Sequence, residues 1–184
     1  MEQTQEASTA AQTFSQLITV LQRERGASGV FLASKGMSMR DVLLGLRQQT
    51  DEAIHAARRL PALDNDQVRQ VIAALDSLQT TRSQIDALAL NNRESGARFT
   101  KIIQSLIAYT HALQCSVKKP ELARSLSSLN QFIEMKERAG RERATLGVVF
   151  NQNRVDSDLL SIFSRNLGEF SAYAEGFRSS ADEA

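Results

Sequence analysis

The chain has 184 residues, 42% of them apolar and 23% charged, a composition that excludes an intrinsically disordered chain and suffices for one domain or for two bundles sharing a helix. Lys and Arg total 22 against 21 Asp and Glu, so the net charge of +1 makes no electrostatic case for nucleic acid. Two prolines and nine glycines among abundant Ala, Leu, Gln and Arg point to an all-α fold, and the single cysteine, Cys115, excludes an internal disulfide.

No apolar run approaches the about 18 residues a membrane span needs, and residues 1–13 lack the apolar core of a secretion signal. The chain therefore reads as soluble and cytoplasmic, although an excised extracytoplasmic domain without its flanking membrane helices would read the same way.

The first helix is expected from Thr9 to Ser34, with Phe14, Leu17, Ile18, Leu21, Ser28, Gly29 and Leu32 on one face and Lys35-Gly36 as its stop. Ser38 is the expected cap of a second helix carrying Val42, Leu43, Leu46, Ala53, Ile54, Ala57 and Leu60, which Pro61 ends. Asp64 or Asn65 should cap a third, with Val68, Val71, Ile72, Leu75, Leu78, Ile85 and Leu88 as its stripe. Asn91-Asn92 and Ser95-Gly96 read as breaks before a fourth helix through Phe99, Ile102, Ile103, Leu106, Thr110 and Leu113. Pro120 opens a long fifth helix to about Asn151. Asn151-Gln152-Asn153 or Asp156 marks its end, and Ser157 or Asp158 caps a sixth through Leu159, Leu160, Phe163, Leu167, Phe170 and Phe177. Short connections imply antiparallel neighbours. The helical domain is taken as 1–178, with 179–184 as a frayed tail.

Catalysis finds little support. His55 and His111 stand alone, without a second ligand at helical spacing, and His55 reads as solvated beside Arg58 and Arg59. No pair of carboxylates is forced together for acid–base work, so neither an enzyme, a cofactor nor a metal site is expected.

One stretch occurs twice. Arg23-Glu24-Arg25-Gly26-Ala27-Ser28-Gly29-Val30 is echoed by Arg141-Glu142-Arg143-Ala144-Thr145-Leu146-Gly147-Val148. Counted from Leu21, Arg25 falls on the apolar face of the first helix and Arg23 points away from it. In the fifth helix a stripe of Leu129, Phe132, Ala139, Gly140, Leu146, Gly147 and Phe150 would place Arg143 in its middle, with Lys136 seven residues earlier and Arg154 eleven later on the same side. A cation on a core face needs compensation. One compensator is a carboxylate, with Glu24, Asp51, Glu134 and Glu142 as candidates for a buried ion-pair network. The other is a bound anion held between the two echoing helices, where Gly26 and Ala144 would leave room.

Gln22-Arg23-Glu24-Arg25-Gly26 and Lys136-Glu137-Arg138-Ala139-Gly140-Arg141-Glu142-Arg143-Ala144 resemble, in order, the two signatures of the NIT domain, a bacterial nitrate- and nitrite-sensing module. Thr50-Asp51 is similar to a further family feature. The resemblance implies an all-helical sensor of two four-helix bundles sharing long helices, with nitrate or nitrite as its small-molecule ligand. It also implies an attached or partner output module such as an RNA-binding antiterminator, chemoreceptor, kinase or cyclase. The sensor itself would touch neither nucleic acid nor membrane directly.

By position, Arg25 and Arg143 are the matching Glu-Arg arginines, and Arg23, Arg138 and Arg141 are their neighbours. Lys136 and Ser28 are further candidate ligands. The chemistry suits these side chains, since planar nitrate presents acceptor oxygens that a guanidinium fork meets in pairs, whereas lysine offers only a point charge. The reading leaves an isolated sensor or a fragment, compatible with a homodimer. Its rival is a non-sensing helical interaction or dimerisation module whose arginines are paired with Glu24 and Glu142.

Overall fold

The computed structural model describes residues 2–60, 66–152 and 155–181. Their regular elements are six helices: α1 (Glu2–Ala33), α2 (Arg40–Arg58), α3 (Asp66–Asp86), α4 (Asn92–Ser116), α5 (Pro120–Gln152) and α6 (Ser157–Ala181). The expected all-α, antiparallel helical-bundle class holds. The chain divides into two units, Met1–Val117 and Lys118–Ala184.

The first unit is an up-down-up-down bundle of α1 to α4. Phe14 meets Tyr109 with ring centroids 4.6 Å apart, Arg25 reaches Thr100, and Gly29 lies against Asn92. Residue numbers thus rise along α1 as they fall along α4. The pairs Arg47–Asp86, Asp51–Arg82 and Arg58–Asp76 show the same opposition between α2 and α3. The core is built from Phe14, Leu17, Ile18 and Leu21 of α1, Leu75, Leu78 and Ile85 of α3, and Phe99, Ile103 and Leu106 of α4. In the second unit α5 and α6 form an antiparallel hairpin, pinned where Ser128 bonds Ser180, Phe132 meets Phe177 and Arg138 meets Glu169.

Turn chemistry sets several ends. Gly36 takes φ 81° and its N–H donates to the Phe31 carbonyl, closing α1 where Lys35-Gly36 was expected to stop it. Ser38 does not cap α2; that place is taken by Met39 in the left-handed region, with no side-chain cap bond. Asn91 is the N-cap of α4, and its side chain and that of Glu94 bond each other's backbone N–H in a capping box. The expected break at Ser95-Gly96 is absent, because the capping box starts the helix just before it. Leu88 lies past the end of α3, exposed and at φ 54°, and not on its buried face. Asp156, not Ser157 or Asp158, caps α6 by accepting from the Leu159 N–H. Pro61, Asp64, Asn65 and Arg154 lie outside the described residues.

Asn91→Ala should lower stability by about 0.5–2 kcal/mol through loss of the cap. Gly96→Ala should raise it by about 0.5–1 kcal/mol, since nothing lies within 4 Å of an added Cβ in mid-helix. Urea unfolding followed by circular dichroism reads both; a destabilised Gly96→Ala would place Ser95-Gly96 outside the helix after all.

Candidate functional site

The inward face of α1 runs Leu17, Leu21, Glu24, Ser28, Phe31, at alternating steps of four and three, and every member is buried. Glu24, not Arg25, holds the core position, with 0% of its surface exposed. The equivalent run on α3 is Leu75, Leu78, Arg82, Ile85, again with one charged residue on an apolar stripe. The two meet diagonally across the bundle. Arg82 Nε donates to Glu24 Oε1 at 2.8 Å and Nη2 to Oε2 at 2.9 Å, a bidentate fork. Its Nη1 donates to Asp51 Oδ1 at 2.6 Å, and Nη2 also reaches the Arg47 carbonyl at 3.3 Å. Arg47 Nε lies 3.9 Å from Glu24 Oε1, while its outer nitrogens fork onto Asp86. Burial alone would lower the Arg82 pKa. The hydrogen bond and charge of Glu24, followed by those of Asp51, outweigh that and raise it.

Around this pair stand the other residues of the first motif. Arg25 is half-buried, and its Nη1 donates to Thr100 Oγ1 at 2.9 Å. Arg23 is exposed, as expected, and lines a groove between α1 and α2. Ser28 is fully buried and its hydroxyl, like that of Ser95 on α4, has no hydrogen-bond partner. Close backbone approach occurs at Gly29, where an added Cβ would sit 2.6 Å from Asn92 Oδ1. Gly26 has nothing within 4 Å of an added Cβ, so open space surrounds it.

On α5 the buried residues are Leu126, Asn130, Ile133, Glu134 and Glu137, more than half of them polar. Arg143 is six residues beyond Glu137, about 120° around the axis, and is exposed. This corrects its placement on the core stripe. Phe132 and Phe150, counted to that stripe, are also exposed, Phe150 at 79%. The apolar letters misled because three of the five buried positions among the described residues of α5 are polar. Arg138 is half-buried between Glu134, at 2.7 Å, and Glu169, with its guanidinium 5.1 Å from the Tyr173 ring centroid. Burial opposes its charge, and the charge of Glu134 together with the Glu169 hydrogen bond raises its pKa regardless. Arg141 Nε donates to fully buried Glu137 at 2.9 Å, and its Nη2 is buried without a partner. Lys136 stands 5.8 Å from the Phe132 ring centroid. Among the described residues Arg143 has no hydrogen bond or ion pair.

Each unit therefore has its own ion-pair network: Glu24 and, at its exposed edge, Asp51 with Arg82 and Arg47 in the first, and Glu134 with Arg138 in the second. Arg82 and Arg47 were missed, although a charged residue between Leu78 and Ile85 is the same signal that drew notice to Arg25.

The family model for nitrate and nitrite sensing, NIT, matches residues 16–184. The chain belongs to the NIT family. This is a regulatory, non-enzymatic family. The chain is 27% identical over 168 residues to the nitrate regulatory protein of Klebsiella oxytoca, covering 86% of this chain and 42% of that protein. The structure of the NasR transcription antiterminator superposes with a TM-score of 0.93 at 24% identity, over 97% of this chain and 51% of that one, which establishes a shared fold. The NIT chain described here thus spans about half the length of the relatives it matches. No described helix is long and apolar enough to cross a membrane.

Removing one member of the buried pair strands the other. Arg82→Met should cost about 3–5 kcal/mol. Arg58→Met, which loses only the exposed pair with Asp76, should cost about 0–1 kcal/mol. Equal losses in denaturant titrations would mean that the Glu24–Arg82 pair carries no special weight.

Proposed function

We propose that this chain is the sensing part of a nitrate- or nitrite-responsive regulator, and that the guanidinium groups of Arg25 and Arg143 bind the anion. The observation that carries the reading is the pair of Glu-Arg signatures, Glu24-Arg25 and Glu142-Arg143, inside the NIT match over residues 16–184. Each buried carboxylate near the signatures already has a cation: Glu24 has Arg82, Glu134 has Arg138 and Glu137 has Arg141. Arg143 is exposed, and Arg25 donates to a neutral hydroxyl.

A guanidinium suits the ligand. Nitrate is planar and singly charged, and two of its oxygens accept the paired N–H groups of one fork. Arg23, Arg138, Arg141, Lys136 and Ser28 belong to the same proposal as neighbouring ligands. Arg138 and Arg141 would have to share themselves with their carboxylates, so they rank behind the exposed Arg143. The partnerless Nη2 of Arg141 and the partnerless hydroxyl of Ser28 are donors that remain to be used.

Sensing requires that the anion favour one arrangement of helices over another, because a ligand shifts an equilibrium only by its differential affinity. The output is proposed to be an attached or partner module that responds to that shift in the cytoplasm, and a homodimer fits the scheme.

Nitrate at 100 times its dissociation constant should stabilise the protein by roughly 2.7 kcal/mol relative to the same concentration of chloride. Arg25→Ala and Arg143→Ala should each abolish this nitrate-specific shift while leaving helicity near normal. Thermal melts in the two salts read the result. Unchanged shifts in both variants would reject the assignment, and no shift in the unsubstituted protein would reject sensing itself in favour of a helical interaction module.

A further inference from the structure

Glu24 and Arg25 are consecutive residues on one helix, so their side chains leave the axis about 100° apart. Whatever fixes the direction of Glu24 therefore fixes the roll of α1, and with it the direction of Arg25. Glu24 is held from the far side of the bundle. Arg82 forks onto both of its oxygens, at 2.8 and 2.9 Å, so that the carboxylate cannot turn without breaking a planar, two-point contact. Arg82 is itself anchored to α2, through Asp51 at 2.6 Å and the Arg47 carbonyl at 3.3 Å. Three helices meet in this one guanidinium.

We propose that Arg82 is a positioning residue for anion recognition: through its fork on Glu24 it sets the roll of α1 and so aims Arg25. The proposal rests on the nitrate-sensing reading above and assigns that site a residue which neither signature contains.

Charge works in the same direction as geometry. An uncompensated carboxylate on the residue next to Arg25 would cancel part of the positive potential that an incoming anion needs. Glu24 faces two guanidiniums, Arg82 and, at 3.9 Å, Arg47, so its charge is compensated inside the bundle. The outer carboxylates, Asp51 and Asp86, have side chains 53% and 54% exposed, where water screens them. Lysine in place of Arg82 would keep the charge and lose the two-point grip.

Isothermal titration with sodium nitrate, at constant ionic strength in chloride, tests this on the full chain. The set is the unsubstituted protein, Arg82→Lys, Arg82→Met, and Glu24→Gln combined with Arg82→Met. The unsubstituted protein should bind nitrate, Arg82→Met and the double variant at least about tenfold more weakly, and Arg82→Lys at an intermediate level. The double variant removes both buried charges, so its melting temperature should recover toward the starting value while its affinity does not.

That separation is what a merely structural Arg82 would not produce. If affinity in the double variant returns to within about threefold of the starting value together with stability, the positioning role is overturned. An unchanged affinity in folded Arg82→Met overturns it as well. Should Arg82→Met fail to fold, the double variant and Arg82→Lys decide the matter. Absence of nitrate binding by the unsubstituted protein is a different result: it removes the sensing reading first, and the positioning role with it.

Discussion

The first unit is organised by one obligation: a carboxylate with no access to water must be met by a cation. Glu24 occupies a core position between Leu21 and Ser28, where burial would cost an unpaired ion several kcal/mol. A neighbour on the same helix could not supply the partner from the opposite side of the core. Arg82 does, from α3, and it is held in turn by α2. A four-helix bundle packed only by apolar side chains can slide or roll by small amounts at little cost. A forked, fully desolvated pair cannot, because any displacement lengthens two charge-assisted bonds at once.

The second unit applies the same rule in another way. Glu137 is fully buried on α5 and its cation, Arg141, is one turn away on the same helix. Arg138 ties α5 to α6 by standing between Glu134 and Glu169 over the face of Tyr173. Two kinds of arginine thus coexist in the signature segments. Some are spent on neutralising buried carboxylates, and others, such as Arg23 and Arg143, remain at the surface with their forks open.

Family membership and fold bear on different questions. The NIT match over residues 16–184 says what class of signal the family handles, while the superposition on NasR says only that the helices are arranged alike. The proposal about anion ligands rests on the side chains, since a helical bundle by itself is compatible with many tasks.

Several features followed from the sequence because their physics is local. Apolar spacing gave six helices, Gly36 ended the first, Pro120 opened the fifth, and the separate positions of His55 and His111 in the sequence argued against catalysis. The paired arginine signatures were legible too, and with them the family. What the tertiary structure decided was which polar residues face inward. An apolar stripe locates the core only when the core is apolar, and Glu24, Arg82, Asn130 and Glu137 all occupy buried positions. On α5 this displaced the true face from the counted one by about a third of a turn, taking Arg143 from the core to the surface. The partner of a buried charge depends on which helices lie across from it, and no periodicity along a single helix carries that information.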